Sequence, residues 1–224
     1  DNKKNQMQRN HKIMIEKSNF DKCSIDKCVS FELQYNEIPS RSLILGNIPE
    51  GTSEEDLKYL INLFGDYQEL NLENLKNGKV IVRFYDIRDA MIMRTSYVAI
   101  CFRNIIMSFG NDLNVTDKKN PPNNGTIVVF NLPENAYNND IHSKFAHFGD
   151  IRDIRSTPNK KTQRFIEFYD LRSAEKAKID MKKKKVIISD SFCKINVEFS
   201  LPGNYRANYE KYYVNHIPTI QRRT

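Results

Sequence analysis

The chain has 224 residues, room for one large domain or two small ones. Its apolar share of 39%, with 13 Phe and 11 Tyr, suffices for real cores, and no run nears the 18 apolar residues of a membrane helix. Four Cys are too few for a disulfide scaffold, and a net charge of +7 makes polyanions the first partner class to consider.

Residues 1–38 are Asn- and Lys-rich with little periodicity and read as a flexible arm. The start lacks both a Met and the apolar stretch of a signal peptide, so the sequence reads as a piece of a longer chain. Cys23 and Cys28 have no second Cys/His pair at finger spacing, so no zinc is expected; with Cys101 and Cys193 they read as reduced intracellular thiols.

From Leu43 an apolar strand runs into Asn-Ile-Pro-Glu. Leu57, Ile61 and Phe64 follow at helical spacing, with Thr52-x-x-Glu55 as a capping box and Gly65 at the C-terminus. Asp86 caps a second helix, and Ile105 to Phe109 form a last strand. Residues 111–124, with Pro121-Pro122, read as a linker that lets the flanking domains move independently. Beyond it, Ile127 to Phe130 is a short strand, and Ile141, Phe145 and Phe148 mark a helix ending at Gly149. Ile151 to Arg155 and Gln163 to Tyr169 are strands joined by the polar loop TPNKKT. Asp170 caps a helix whose Ala174 and Ala177 allow close approach to a sheet. Lys182 to Lys185 read as a solvated helix end or loop, with nuclear import or phosphate contact as the alternative. Lys194 to Phe199 form the last strand, and residues 204–224 a basic tail with Tyr205, Arg206, Tyr209, Tyr212, Tyr213, Arg222 and Arg223.

A shift of 84 positions lays Asn47–Glu50 on Asn131–Glu134, Phe64–Asp66 on Phe148–Asp150, and FYDIRDA (84–90) on FYDLRSA (168–174). One offset for three blocks means two copies of one domain, at 39–110 and 125–203. Each reads as strand, helix, strand, strand, helix, strand. That order is an α+β ferredoxin-like βαββαβ unit, a four-stranded antiparallel sheet with both helices on one face. The other face is left open. Residues 41–112 carry 8 basic and 10 acidic groups and residues 126–200 carry 14 and 10, so an electrostatic footprint for nucleic acid falls C-terminally.

Each copy resembles the RNA-recognition motif. Its hexamer is matched by Leu43 to Ile48 and by Ile127 to Leu132, and its octamer by Asn77 to Phe84 and by Lys161 to Phe168. The motif's third and fifth octamer positions face outward and usually hold aromatics that stack on bases. The second octamer has Gln163 and Phe165 there; the first has Lys79 and Ile81. Strand alternation turns Val128, Phe130, Gln163, Phe165 and Glu167 outward in the second copy, with Arg155 and the loop residues Lys160 and Lys161 flanking as phosphate contacts. A strand Phe is ordinarily core, and the motif register is what turns Phe165 out. In the first copy the outward set is Ile44, Gly46, Lys79, Ile81 and Arg83, which suits weak RNA contact or a protein partner; both stay open.

PSRSLILGNIP, GTIVVFNLPE, FGDIRDIRSTPNKK, QRFIEFYD and INVEFSLPG resemble phrases of the Mei-two-like family of meiotic RNA-binding proteins, over about Pro39 to Gly203. The resemblance implies control of RNA in meiosis or sexual differentiation, in nucleus or cytoplasm, and a third C-terminal motif in longer members. No phosphate loop, nucleophile elbow or ligand cluster supports an enzyme or a cofactor. The expected partner is single-stranded RNA, bound by a monomer with no membrane attachment. The rival function is an adaptor whose open faces bind proteins.

Overall fold

In the computed structural model, which describes residues 38–100, 105–110, 121–157 and 160–201, each repeat closes its own sheet and core. The first repeat runs β1 (Ser42–Gly46), α1 (Glu54–Asn62), β2 (Tyr67–Asn71), β3 (Val80–Phe84), α2 (Ile87–Ile100) and β4 (Ile106–Phe109), with sheet order β2-β3-β1-β4. The second runs β5 (Thr126–Phe130), α3 (Asn138–Phe145), β6 (Ile151–Thr157), β7 (Lys160–Phe168), α4 (Leu171–Met181), β8 (Lys185–Ile188), β9 (Ser191–Lys194) and β10 (Asn196–Phe199). Its sheet order β10-β5-β7-β6 is the same permutation, so both repeats are ferredoxin-like.

Period-two alternation decides which face is buried. Leu43, Leu45, Val80, Val82 and Phe84 point at the helices and meet Leu57, Leu60, Ile61, Ala90 and Met93. Ile127, Val129, Ile166 and Phe168 do the same against Ile141, Phe145, Ala174 and Ala177. After each first strand the chain turns on an Asn with positive φ, Asn47 at 58° and Asn131 at 61°, a conformation that Asn tolerates better than most residues. Gly65 and Gly149 are repeated because a Cβ at either would collide with a helix side chain, Asp89 in one repeat and Ser173 in the other.

Three local expectations need correction. The first helix is capped by Ser53, whose Oγ accepts from the Asp56 amide, while the Thr52 hydroxyl donates back to the Pro49 carbonyl. Lys160 and Lys161 are not loop residues; they open β7, because that strand pairs with β6 out to Thr157. The basic run Lys182–Lys185 leads into an unforeseen β8–β9 hairpin, separated from β10 at buried Ile195. Alternation there sends Ile188 into the core and leaves Ile187 and Phe192 exposed as a cross-strand pair. The arm up to residue 37, Cys101 and the Tyr/Arg tail lie outside the described residues.

The repeats meet at the ends of β3 and β7. Asp86 and Asp170 form an antiparallel bridge: the Ile87 amide donates to the Tyr169 carbonyl (3.2 Å) and the Leu171 amide to the Tyr85 carbonyl (3.0 Å). Residues 121–124 of the expected linker are held here as well. Asn123 donates to the Leu171 carbonyl, Asn124 to that of Ser200, and Arg83 reaches the Asn123 carbonyl at 3.4 Å. These contacts tie the end of the expected linker to both repeats.

Candidate nucleic-acid interface

Strand pairing lays out the open face of the second repeat. Directly opposed residues in an antiparallel pair share a face. One row therefore reads Glu198, Val128, Phe165, Arg155 across β10, β5, β7 and β6, and the next holds Asn196 and Phe130. Gln163 stands two residues from Phe165 along β7, on the same side.

Phe165, Phe130 and Gln163 are half-buried on this face, each accessible from solvent. Val128 lies outward by register, but only 8% of it is exposed, because Phe165 and Glu198 flank it. It is a floor beneath the rings rather than a contact residue. Lys160 and Lys161 are exposed at the start of β7.

The expected role of Arg155 also needs correction. Its guanidinium is not held out for a phosphate: it pairs with Asp153 (3.2 Å) and with Glu167 (3.3 Å), and lies 5.8 Å from the centroid of the Phe165 ring. Glu167 also accepts from Arg152 at 2.9 Å. Glu167 is outward as alternation requires, yet 7% exposed, since two arginines cover it. Burying that carboxylate is tolerable only because both oxygens are paired. The network fixes Arg155 alongside Phe165 and removes part of the positive field from the face.

Sequence reasoning missed two residues of this face. Asn196 and Glu198 lie on β10, and the Asn196 Nδ2 donates to Glu198 Oε1 at 2.7 Å, leaving Asn196 Oδ1 buried without a donor among the described residues. Their signal is the period of the last strand, in which Ile195, Val197 and Phe199 alternate inward and turn Asn196 and Glu198 out. Sequence reasoning also missed the burial of Arg164. This residue lies 8% exposed on the helix side of β7 and donates to the carbonyls of Ala136, Lys161 and Gln163 and to Asn138 Oδ1. A charge in an octamer gave no hint of burial.

The first repeat presents a different face. Ile44 is half-buried opposite Ile81, which is 37% exposed, and Ile106 on β4 is 63% exposed. Lys79 is exposed ahead of β3, and Arg83 is half-buried at the seam. No aromatic side chain stands among these outward residues.

Residues 127–187 match the RNA recognition motif family. Across both repeats the chain is similar to the MEI2-like proteins. It is 34% identical over 80% of its length to Protein MEI2-like 2 of Oryza sativa subsp. japonica, covering 21% of that protein. It is 35% identical over 80% of its length to Protein MEI2-like 5 of Arabidopsis thaliana, covering 22%. The chain thus spans about a fifth of the length of these curated relatives. Among solved structures, an Sxl-lethal protein/RNA complex aligns with 72% of this chain and 99% of that one, at 16% identity and a TM-score of 0.31.

Proposed function

We propose that the chain binds single-stranded RNA, and that the open sheet face of the second repeat is its site. The observation that carries this reading is the pair of accessible rings, Phe130 and Phe165, on a face whose floor is apolar Val128. Unstacked bases take up such rings, each worth about 1–3 kcal/mol. Gln163, Asn196 and Glu198 supply donors and acceptors to base edges around the rings, and exposed Lys160 and Lys161 supply charge for the backbone. The match of residues 127–187 to a recognition module and the likeness to MEI2-like proteins support binding rather than catalysis. The same likeness suggests control of RNA in meiosis or differentiation, within nucleus or cytoplasm, by a monomeric pair of domains at 39–110 and 125–203 with a linker between. Ile44, Lys79, Ile81 and Arg83 are an accessory RNA surface in this reading.

A protein partner is the second reading for the first repeat alone. The exposure of Ile81 and Ile106 favours it, since aliphatic side chains gain from burial and offer bases little stacking. The test is a titration of a labelled single-stranded RNA pool of mixed sequence against the chain and against the Phe130→Ala/Phe165→Ala variant. Saturable binding that the variant loses is expected; a variant that binds as the parent does would overturn the site.

A further inference from the structure

The contacts between the repeats come from the same residues that reveal the repeat. Arg88 pairs with its own Asp86 (2.6 Å) and reaches across to Asp150 (2.7 Å), with its guanidinium 4.4 Å from the centroid of the Tyr169 ring. Arg172 pairs with its own Asp170 (2.7 Å) and reaches back to Asp66 (2.8 Å), 4.6 Å from the centroid of the Tyr85 ring. Each residue of one set is 84 positions from its counterpart in the other. The junction is therefore isologous: one surface, used twice, and complementary to itself. Asp86 and Asp170 each accept from the amide of the arginine two residues on, so every arginine is oriented by its own helix start before it crosses. These carboxylates hold both guanidinium groups charged far above the ordinary range, the in-repeat aspartate being the larger cause in each case.

Arg41 breaks the symmetry. It is 3% exposed and donates to four carbonyls: Tyr85 in its own repeat, Asn124 before the second, and Phe168 and Tyr169 at the end of β7. Its counterpart 84 positions on is Gly125, at φ +84°, where a Cβ would collide with the Arg41 guanidinium. The single arginine fits because its symmetry mate is a glycine.

We propose that this junction is a clasp that holds the two repeats as one RNA-binding body, so that a strand long enough to touch both open faces binds more tightly than it would to two tethered domains. The exposed ion pairs add little singly. Direction and strength come from their coupling to the paired backbone and to buried Arg41. A fixed pair removes the orientational cost that a flexible tether leaves to be met at binding. The RNA part of the proposal rests on the function proposed above; the clasp itself does not.

The test uses the whole chain and the variant Arg41→Ala/Arg88→Asp/Arg172→Asp. An acid in the first turn of a helix suits its positive end, so α2 and α4 should still form. An unchanged amide fingerprint in β1, β5 and the two cores verifies this. Residual dipolar couplings should fit one alignment tensor for both repeats in the parent and two in the variant. RNA of about twelve nucleotides should lose roughly tenfold in affinity in the variant, while RNA of about four, enough for one sheet's few stacked bases, should lose none. Two tensors in the parent would overturn the clasp. One tensor in the parent and two in the variant, with equal long-strand affinity, would overturn its effect on RNA. One tensor with no RNA binding by either protein would uphold the clasp and overturn the proposed function.

Discussion

The two repeats share a fold, a permuted strand order and a junction, and differ in what they turn to solvent. At the fifth octamer position the first repeat has Ile81 and the second has Phe165, 84 residues on. At the third it has Lys79 against Gln163. Inward positions remain apolar in both: Val82 answers Ile166, and Phe84 answers Phe168. Residues that hold the fold are thus kept apart from residues that face outward by strand alternation. One scaffold can carry two different faces because neither face is needed to close the core.

The sharpest way to break this separation is to cut on the buried side. Phe168→Ala should destabilise the second repeat by about 3–5 kcal/mol, since the ring is fully buried and leaves a cavity. Thermal unfolding followed separately in each repeat would show it, with the first repeat's cooperative loss delayed. A smaller loss would mean that β7 is registered otherwise.

Glu167→Gln comes next. It keeps the shape but removes the charge that ties down Arg152 and Arg155, and should cost about 1–3 kcal/mol of stability. By freeing positive charge on the face it should also steepen the salt dependence of RNA binding. A flatter dependence would show that the arginines are set by other contacts.

Much of this was legible in the sequence, for identifiable reasons. The constant 84-residue offset exposes the repeat, and two-residue alternation sorts Ile166 and Phe168 from Phe165. Three kinds of feature were not legible. The β8–β9 hairpin was hidden because the basic run Lys182–Lys185 and the polar Ser189, Asp190 and Ser191 surround its few inward residues, Val186, Ile188 and Cys193, so the stretch looks like a solvated loop. The burial of Arg164 and Glu167 depends on partners from β6 and the loop before α3, which no local pattern announces. The junction was missed because Asp, Tyr and Arg at a helix start look like caps and solvated charge. Only their pairing across the two copies gives them another role.

Lys160→Ala/Lys161→Ala should weaken all RNA sequences alike and lower the slope of log affinity against log salt by roughly one or two units. An unchanged slope would mark both as solvated. The smallest expected effect is a gain. Ile81→Phe puts a ring on the first repeat where Phe165 stands on the second, and should raise RNA affinity by up to about 1 kcal/mol. No gain would favour the protein-binding reading of that face.

The most direct test is a paired RNA titration of Phe165→Ala and Ile81→Ala in the whole chain, with melting temperatures measured alongside. The account expects Phe165→Ala to lose about 1–3 kcal/mol of RNA binding while melting close to the parent, and Ile81→Ala to bind nearly as the parent does. Equal losses from the two variants, or a larger loss from Ile81→Ala, would contradict it.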